Sequence, residues 1–187
     1  MIHPKYIRTN RLIALFVLVL SFLVYYDTMA PSVSYWDCGE FIAVSYTLGV
    51  PHPPGSPFFL LMGRIFSMLP FNEDIAFRVN VISPLVSALA VMLLYLSTVK
   101  VITHWRGRVN NITDVMIVFG SAAVGALTFA FTDSHWFNAV EAEVYGFSTF
   151  FTAIVVWLIL LWSETVSYTH LRAHETEADL VCRLLLE

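Results

Sequence analysis

The sequence predicts an all-α polytopic membrane bundle of about four transmembrane helices, and three observations carry that prediction. The first is composition: 58% of the 187 residues are hydrophobic and only 13% are charged, against about 25% charged in a soluble domain, and the mean hydropathy is +0.72. The second is that four apolar stretches, about 11–29, 80–102, 114–132 and 146–163, approach the roughly 20 residues a spanning helix needs. The third is that cations and carboxylates occupy different connections. No soluble catalytic domain is visible, and nothing in the charge pattern points to a nucleic-acid partner.

Lys5, Arg8 and Arg11 precede the first apolar stretch, the order of features found in a signal peptide. The bulky Tyr25, Tyr26 and Asp27 stand where small residues would mark a cleavage site, so the stretch is read as an uncleaved span. Residues 58–69 are apolar but too short to cross, and they contain Arg64, which is costly at membrane depth. They predict an interfacial or re-entrant helix. A second basic cluster, Lys100, Arg106 and Arg108, follows the second span. The positive-inside rule puts both clusters on the cytoplasmic side only if four spans are present. The N-terminus and the 103–113 connection are then cytoplasmic, and external loops 30–79 and 133–145 face outward. Those loops hold Asp37, Glu40, Glu73, Asp74, Asp133, Glu141 and Glu143 against Arg64 and Arg78 alone. Asn111-Ile112-Thr113 matches a glycosylation sequon but falls on the cytoplasmic side and is read as chance.

Residues 1–164 form one unit. Beyond it the chain turns polar and charged, and "VSYTHLRAHETEADLVCRLLLE" resembles translated sequencing-adaptor DNA. Residues 165–187 are therefore expected to be a non-native tail, and His170, His174 and Cys182 receive no functional weight. Cys38 and Cys182 make no disulfide framework and lack metal-site spacing. No metal and no cofactor is expected.

The candidate chemistry lies in "SYWDCGEFIAVSYTLGVPHPPGSP". On a helix over 34–48, Asp37 and Glu40 share a face with Phe41, Val44 and Leu48. That placement predicts carboxylates turned toward the protein interior, where a raised pKa suits acid–base work. The alternative is that Asp37 only caps the helix. Pro51, Pro53, Pro54 and Pro57 make the following turn rigid, and Gly55 permits it to be tight. His52 either binds phosphate or shuttles a proton, or it merely satisfies the turn. Arg64 and Arg78 either hold an anion or serve as a snorkelling side chain and a span anchor. In the second loop, Glu141 and Glu143 are two apart and diverge on a helix, so at most one is expected to face Asp37. Trp136 and Tyr145 fit an interfacial aromatic belt.

Together, "DCGEFIAVSYTLGVPHPPGSPFFLLMGRIFSMLP" and "HWFNAVEAEVYGFSTFF" resemble the multispanning GT-C glycosyltransferases, and within them the bacterial protein O-mannosyltransferase-like family. The resemblance covers about residues 8–164. It implies an inverting transferase that moves a sugar, mannose by expectation, from a polyprenyl-phosphate carrier to a Ser/Thr hydroxyl of a secreted or surface protein. It makes Asp37 the catalytic carboxylate with Glu40 beside it, and His52 part of the loop that shapes the cleft. Glu141, Glu143 and Tyr145 would be contributors from the second loop. It further implies a bacterial inner-membrane enzyme with its active site on the periplasmic face, of which this chain is an N-terminal part, inactive alone. Two other classes compete: a transporter, which would place its ionisable groups near the bilayer midplane, and a non-catalytic membrane scaffold.

Overall fold

The computed structural model describes residues 2–184 except Pro54, with side chains described through Val166. His170, His174 and Cys182 lie outside those side chains. Among the described residues eight helices follow in order: α1 (Pro4–Thr28), α2 (Cys38–Thr47), α3 (Pro57–Met68), α4 (Ile75–Asn80), α5 (Ile82–Arg106), α6 (Ile112–Ala130), α7 (Asp133–Ala139) and α8 (Tyr145–Leu184). Among the described residues four segments are long and apolar enough to cross a membrane: α1, the α4–α5 unit, α6 and Tyr145–Val166 of α8. They match the four expected spans, and α3 is the expected short apolar helix.

Local chemistry sets the helix ends. Pro4 starts α1, where its missing N–H costs nothing. Asn111 accepts from Asp114 N at 2.8 Å, and Asp114 Oδ2 accepts from Asn110 N at 3.3 Å, a reciprocal cap on α6. The sequon asparagine is thus a helix cap. Asp74 caps α4 by accepting from Ala76 N at 2.8 Å. Pro84 lacks the N–H that would bond the Asn80 carbonyl, which explains the break between α4 and α5.

α5 is the central helix. Half of its most apolar stretch is buried, and it packs against α1, α6 and α8. The α5–α8 contact uses small residues. A Cβ on Gly146 would lie 3.0 Å from Val86 Cγ2 and 3.1 Å from Ser87 Oγ, so the two backbones approach closely there. Val17, Tyr25, Val91, Tyr95, Val118 and Phe119 form the core where α1, α5 and α6 meet.

The two ends of the bundle are stitched separately. At one end His3 N donates to Val109 O at 3.1 Å, joining the N-terminus to the α5–α6 connection, so both basic clusters share an end. At the other end Ala30 N donates to Val140 O at 2.8 Å and Tyr25 OH to Ala130 O at 2.7 Å. The buried Asn80 amide donates to Ala30 O and Ser32 O at 2.8 and 2.9 Å. These bonds, each worth about 1 kcal/mol net, bring the two acidic loops together at the end opposite the basic clusters.

Candidate active site at the acidic end

α2 and α3 form a hairpin that carries the first group of residues. α2 ends at Leu48, which adopts a left-handed conformation (φ 53°), and Gly49 N returns to Val44 O at 3.1 Å. The turn that follows closes with Gly55 N donating to His52 O at 3.0 Å, Gly55 itself at φ 74°. α3 then packs back against α2, with Phe41 and Phe59 rings 5.6 Å apart, and reaches α8 through Phe58 and Phe147 at 5.0 Å. Aromatic pairs of this kind add about 0.5–1.5 kcal/mol each, and they hold the hairpin against the bundle.

This fold brings Asp37, Glu40 and His52 together. His52 Nδ1 lies 2.6 Å from Glu40 Oε2, and the His52 backbone N–H donates to Glu40 Oε1 at 2.8 Å. His52 Nε2 lies 3.9 Å from Asp37 Oδ2. The hydrogen bond with His52 holds Glu40 below its ordinary carboxylate range and raises His52. Two expectations are corrected here. α2 begins at Cys38 rather than Ser34, so Asp37 precedes it and its side chain, 57% exposed, faces solvent instead of the interior. Glu40 is shifted down, not up, because a partner outweighs its slight desolvation. Asp37 occupies the N-cap position but makes no capping hydrogen bond, which leaves its carboxylate open. Trp36, 85% exposed, holds a left-handed conformation at φ 60°. A bulky side chain there is strained, and such strain gathers at functional sites.

The second group lies just inside. Between α7 and α8 the chain bends and is not helical, and Glu141 and Glu143 converge rather than diverge. Both are buried, at 4% and 8% exposure. With Cys38 they form a cluster whose ligating atoms all lie within 4.8 Å of one another. Cys38 Sγ contacts Glu143 Oε1 at 3.7 Å, Ser34 Oγ donates to Glu141 Oε2, and Glu143 N bonds Ser83 Oγ at 3.4 Å. Burial raises Glu143, and burial with the two adjacent carboxylates raises Cys38. The raised carboxylate of this site is therefore in the second loop. Cys38 was passed over in the sequence because its partners lie 105 residues away from it.

The arginines serve the scaffold. Arg64 Nη1 donates to Tyr46 O at 2.5 Å and its guanidinium lies over the Tyr46 ring. Arg78 donates to Ser67 O, Leu69 O and Glu73 O at 2.7, 3.2 and 3.2 Å, closing the α3–α4 loop. Tyr145 lies at the mouth of a cavity of about 290 Å³ that also takes in Ser87, His135 and Asn138. A second cavity of about 390 Å³ adjoins it, sharing Phe129 and Thr149, and is lined along α5 and α8 by Ala90, Leu94, Ala153 and Val156. His135, buried with Nε2 unpartnered, is a pocket residue that the sequence did not single out.

A family model described as the Protein O-mannosyl-transferase TMEM260 N-terminal domain matches residues 37–184. The chain belongs to this family. The matched region opens on Asp37 and extends through most of the stretch whose composition reads as foreign. The Protein O-mannosyl-transferase tmem260 of Dictyostelium discoideum is 29% identical over 177 residues, covering 92% of this chain and 19% of the relative. The Protein O-mannosyl-transferase TMEM260 of Mus musculus is 28% identical over 141 residues, covering 75% of this chain and 18% of the relative. The chain thus spans about a fifth of the length of these curated relatives. No solved structure matches it.

Proposed function

We propose that this chain supplies the acceptor-activating part of a membrane mannosyltransferase, which moves mannose from a polyprenyl-phosphate carrier to a Ser/Thr hydroxyl of a protein on the outer face of the membrane. Family membership supports the reaction class. The observation that carries the site is the open carboxylate of Asp37, which stands beside the Glu40–His52 pair at the end of the bundle away from the basic clusters. In this reading Asp37 takes the proton of the acceptor hydroxyl as its oxygen attacks the anomeric carbon. The carrier phosphate leaves from the opposite face, so the sugar inverts. Glu40 fixes the His52 ring and so positions the group beside Asp37. Because Arg64 and Arg78 are engaged by carbonyls, the departing phosphate is not assigned to them.

The adjoining cavities support a lipid-borne donor. One is edged by hydroxyl, amide and imidazole groups, and the other, between α5 and α8, is mostly apolar with Ser97, Ser148, Thr149 and Thr152 among its lining. A phosphosugar suits the first and a polyprenyl tail the second. In a bacterial cell this face is periplasmic. The reading is tested by giving a longer gene product that contains this segment a Ser/Thr peptide and either polyprenyl-phosphate-mannose or a nucleotide-linked mannose. Transfer from the lipid donor alone is expected, and transfer from the nucleotide sugar alone would overturn it. Cysteines placed in 30–79 should label from outside, and labelling of residue 105 from that side would reverse the orientation.

A further inference from the structure

We propose that Cys38, Glu141 and Glu143 form a binding site for one divalent cation of the zinc type. Their ligating atoms lie within 4.8 Å of one another and all three residues are buried, so a single ion can reach all of them. The site is built in advance of any ion. Cys38 is fixed at the start of α2, and the Ala30–Val140 backbone bond clamps the two loops together. Glu143 is held through its backbone to Ser83.

One atom shows that this cluster is incomplete. Glu141 Oε1 is fully buried and has no hydrogen-bond partner, while its other oxygen accepts from Ser34. A buried carboxylate oxygen without a donor is expensive. Two carboxylates and a thiol are packed together, and among the described residues no lysine or arginine forms an ion pair with either glutamate. His52, the neighbouring imidazole, is committed to Glu40. The Asp37–Glu40–His52 group also lies within metal-binding distances, but Glu40 and His52 already pair with each other and Asp37 is open to water. The buried cluster is the one that lacks a positive charge.

The donor set selects the ion. Magnesium and calcium favour all-oxygen sites, whereas a thiolate with two carboxylates suits a borderline ion such as Zn²⁺. Burial and the adjacent carboxylates keep the Cys38 thiol protonated in the metal-free chain. Uptake exchanges the thiol proton for the metal. That proton leaves to solvent and no redox change occurs. Three protein ligands leave a coordination position for water or another oxygen ligand. This inference stands independently of sugar transfer.

The test uses the 187-residue chain in detergent with His170→Ala, His174→Ala and Cys182→Ser, so that those potential ligands cannot report. After chelator stripping it is titrated with Zn²⁺ in competition with a chromophoric chelator, and separately with Co²⁺. One Zn²⁺ per chain, proton release on binding, and a thiolate-to-cobalt charge-transfer band are expected. Cys38→Ser should abolish the band, and Glu141→Gln should weaken Zn²⁺ binding by at least about tenfold, with helicity unchanged by circular dichroism. The absence of Zn²⁺ binding in the parent chain would overturn the proposal. So would binding that survives both changes, or binding lost instead with Glu40→Gln or His52→Ala.

Discussion

The first acidic segment, residues 29–74, carries Asp37 and Glu40 at its surface and pairs Glu40 with its own His52. The second, residues 131–144, carries Glu141 and Glu143 inside and leaves one of their oxygens unpartnered. The contrast separates two uses of a carboxylate. An exposed one costs little to ionise and meets an acceptor arriving from solvent, as a general base must. A buried one must be neutralised by a proton, a partner or a metal. The two groups touch in sequence at Asp37 and Cys38, so one turn of chain supplies both the open lip and the closed floor.

The strongest way to break this division is Asp37→Asn. In a longer gene product that transfers sugar, it should lower turnover by about 10²–10⁴-fold. Because the side chain makes no capping bond, stability should stay within about 0.5 kcal/mol. Activity assays beside thermal melts check both parts, and undiminished transfer would remove Asp37 from its assigned role.

The next largest effect concerns the scaffold of the lip. A Cβ on Gly63 would lie 2.7 Å from Ser45 Cβ, so α3 can rest on α2 only without a side chain there. Gly63→Ala should destabilise the hairpin by about 1–3 kcal/mol. Ser45→Gly in the same chain should restore much of it, by removing the clashing atoms. Denaturation midpoints of the single and double variants decide the matter, and an unchanged single variant would show that α2 and α3 pack less closely.

The bundle was far more legible in the sequence than the site. Span lengths and charge segregation depend on composition; α5 and α6 fall within a few residues of the expected stretches, and α1 ends where expected but starts seven residues earlier, at Pro4. The short α3 was legible for the same reason: it is apolar but brief. The site depends on where chain breaks fall. Starting α2 at Ser34 instead of Cys38 turned Asp37 inward, and treating 141–145 as helical separated two glutamates that a bent, non-helical connection brings together. No local pattern marks either change. Cys38 was invisible for a related reason, since its chemistry comes from glutamates contributed by the connection between α7 and α8.

The second segment is probed by Tyr25→Phe. The phenol donates to Ala130 O at 2.7 Å from a buried position and ties α1 to the chain entering α7. Losing that bond should cost about 1 kcal/mol, and amide exchange should quicken through 131–144 while the α2–α3 hairpin keeps its protection. Equal quickening in both would mean that the two acidic segments open as one unit.

The smallest expected effect is a pH dependence within the second segment. His135 packs against the Phe129 ring at 4.4 Å and the Tyr25 ring at 6.0 Å. Burial holds it below its ordinary value of 6.5, with the Ser87 backbone pulling weakly the other way. In the folded chain the imidazole therefore takes up its proton at a lower pH than in the unfolded chain. The sign follows: stability is full above about pH 6.5 and falls as the pH drops through the folded value, because the unfolded chain binds the proton first. Melting midpoints measured downward from neutral pH should decline, and His135→Phe should flatten the decline. A slope unchanged by that substitution would assign the pH sensitivity to other groups and leave His135 without a part in it.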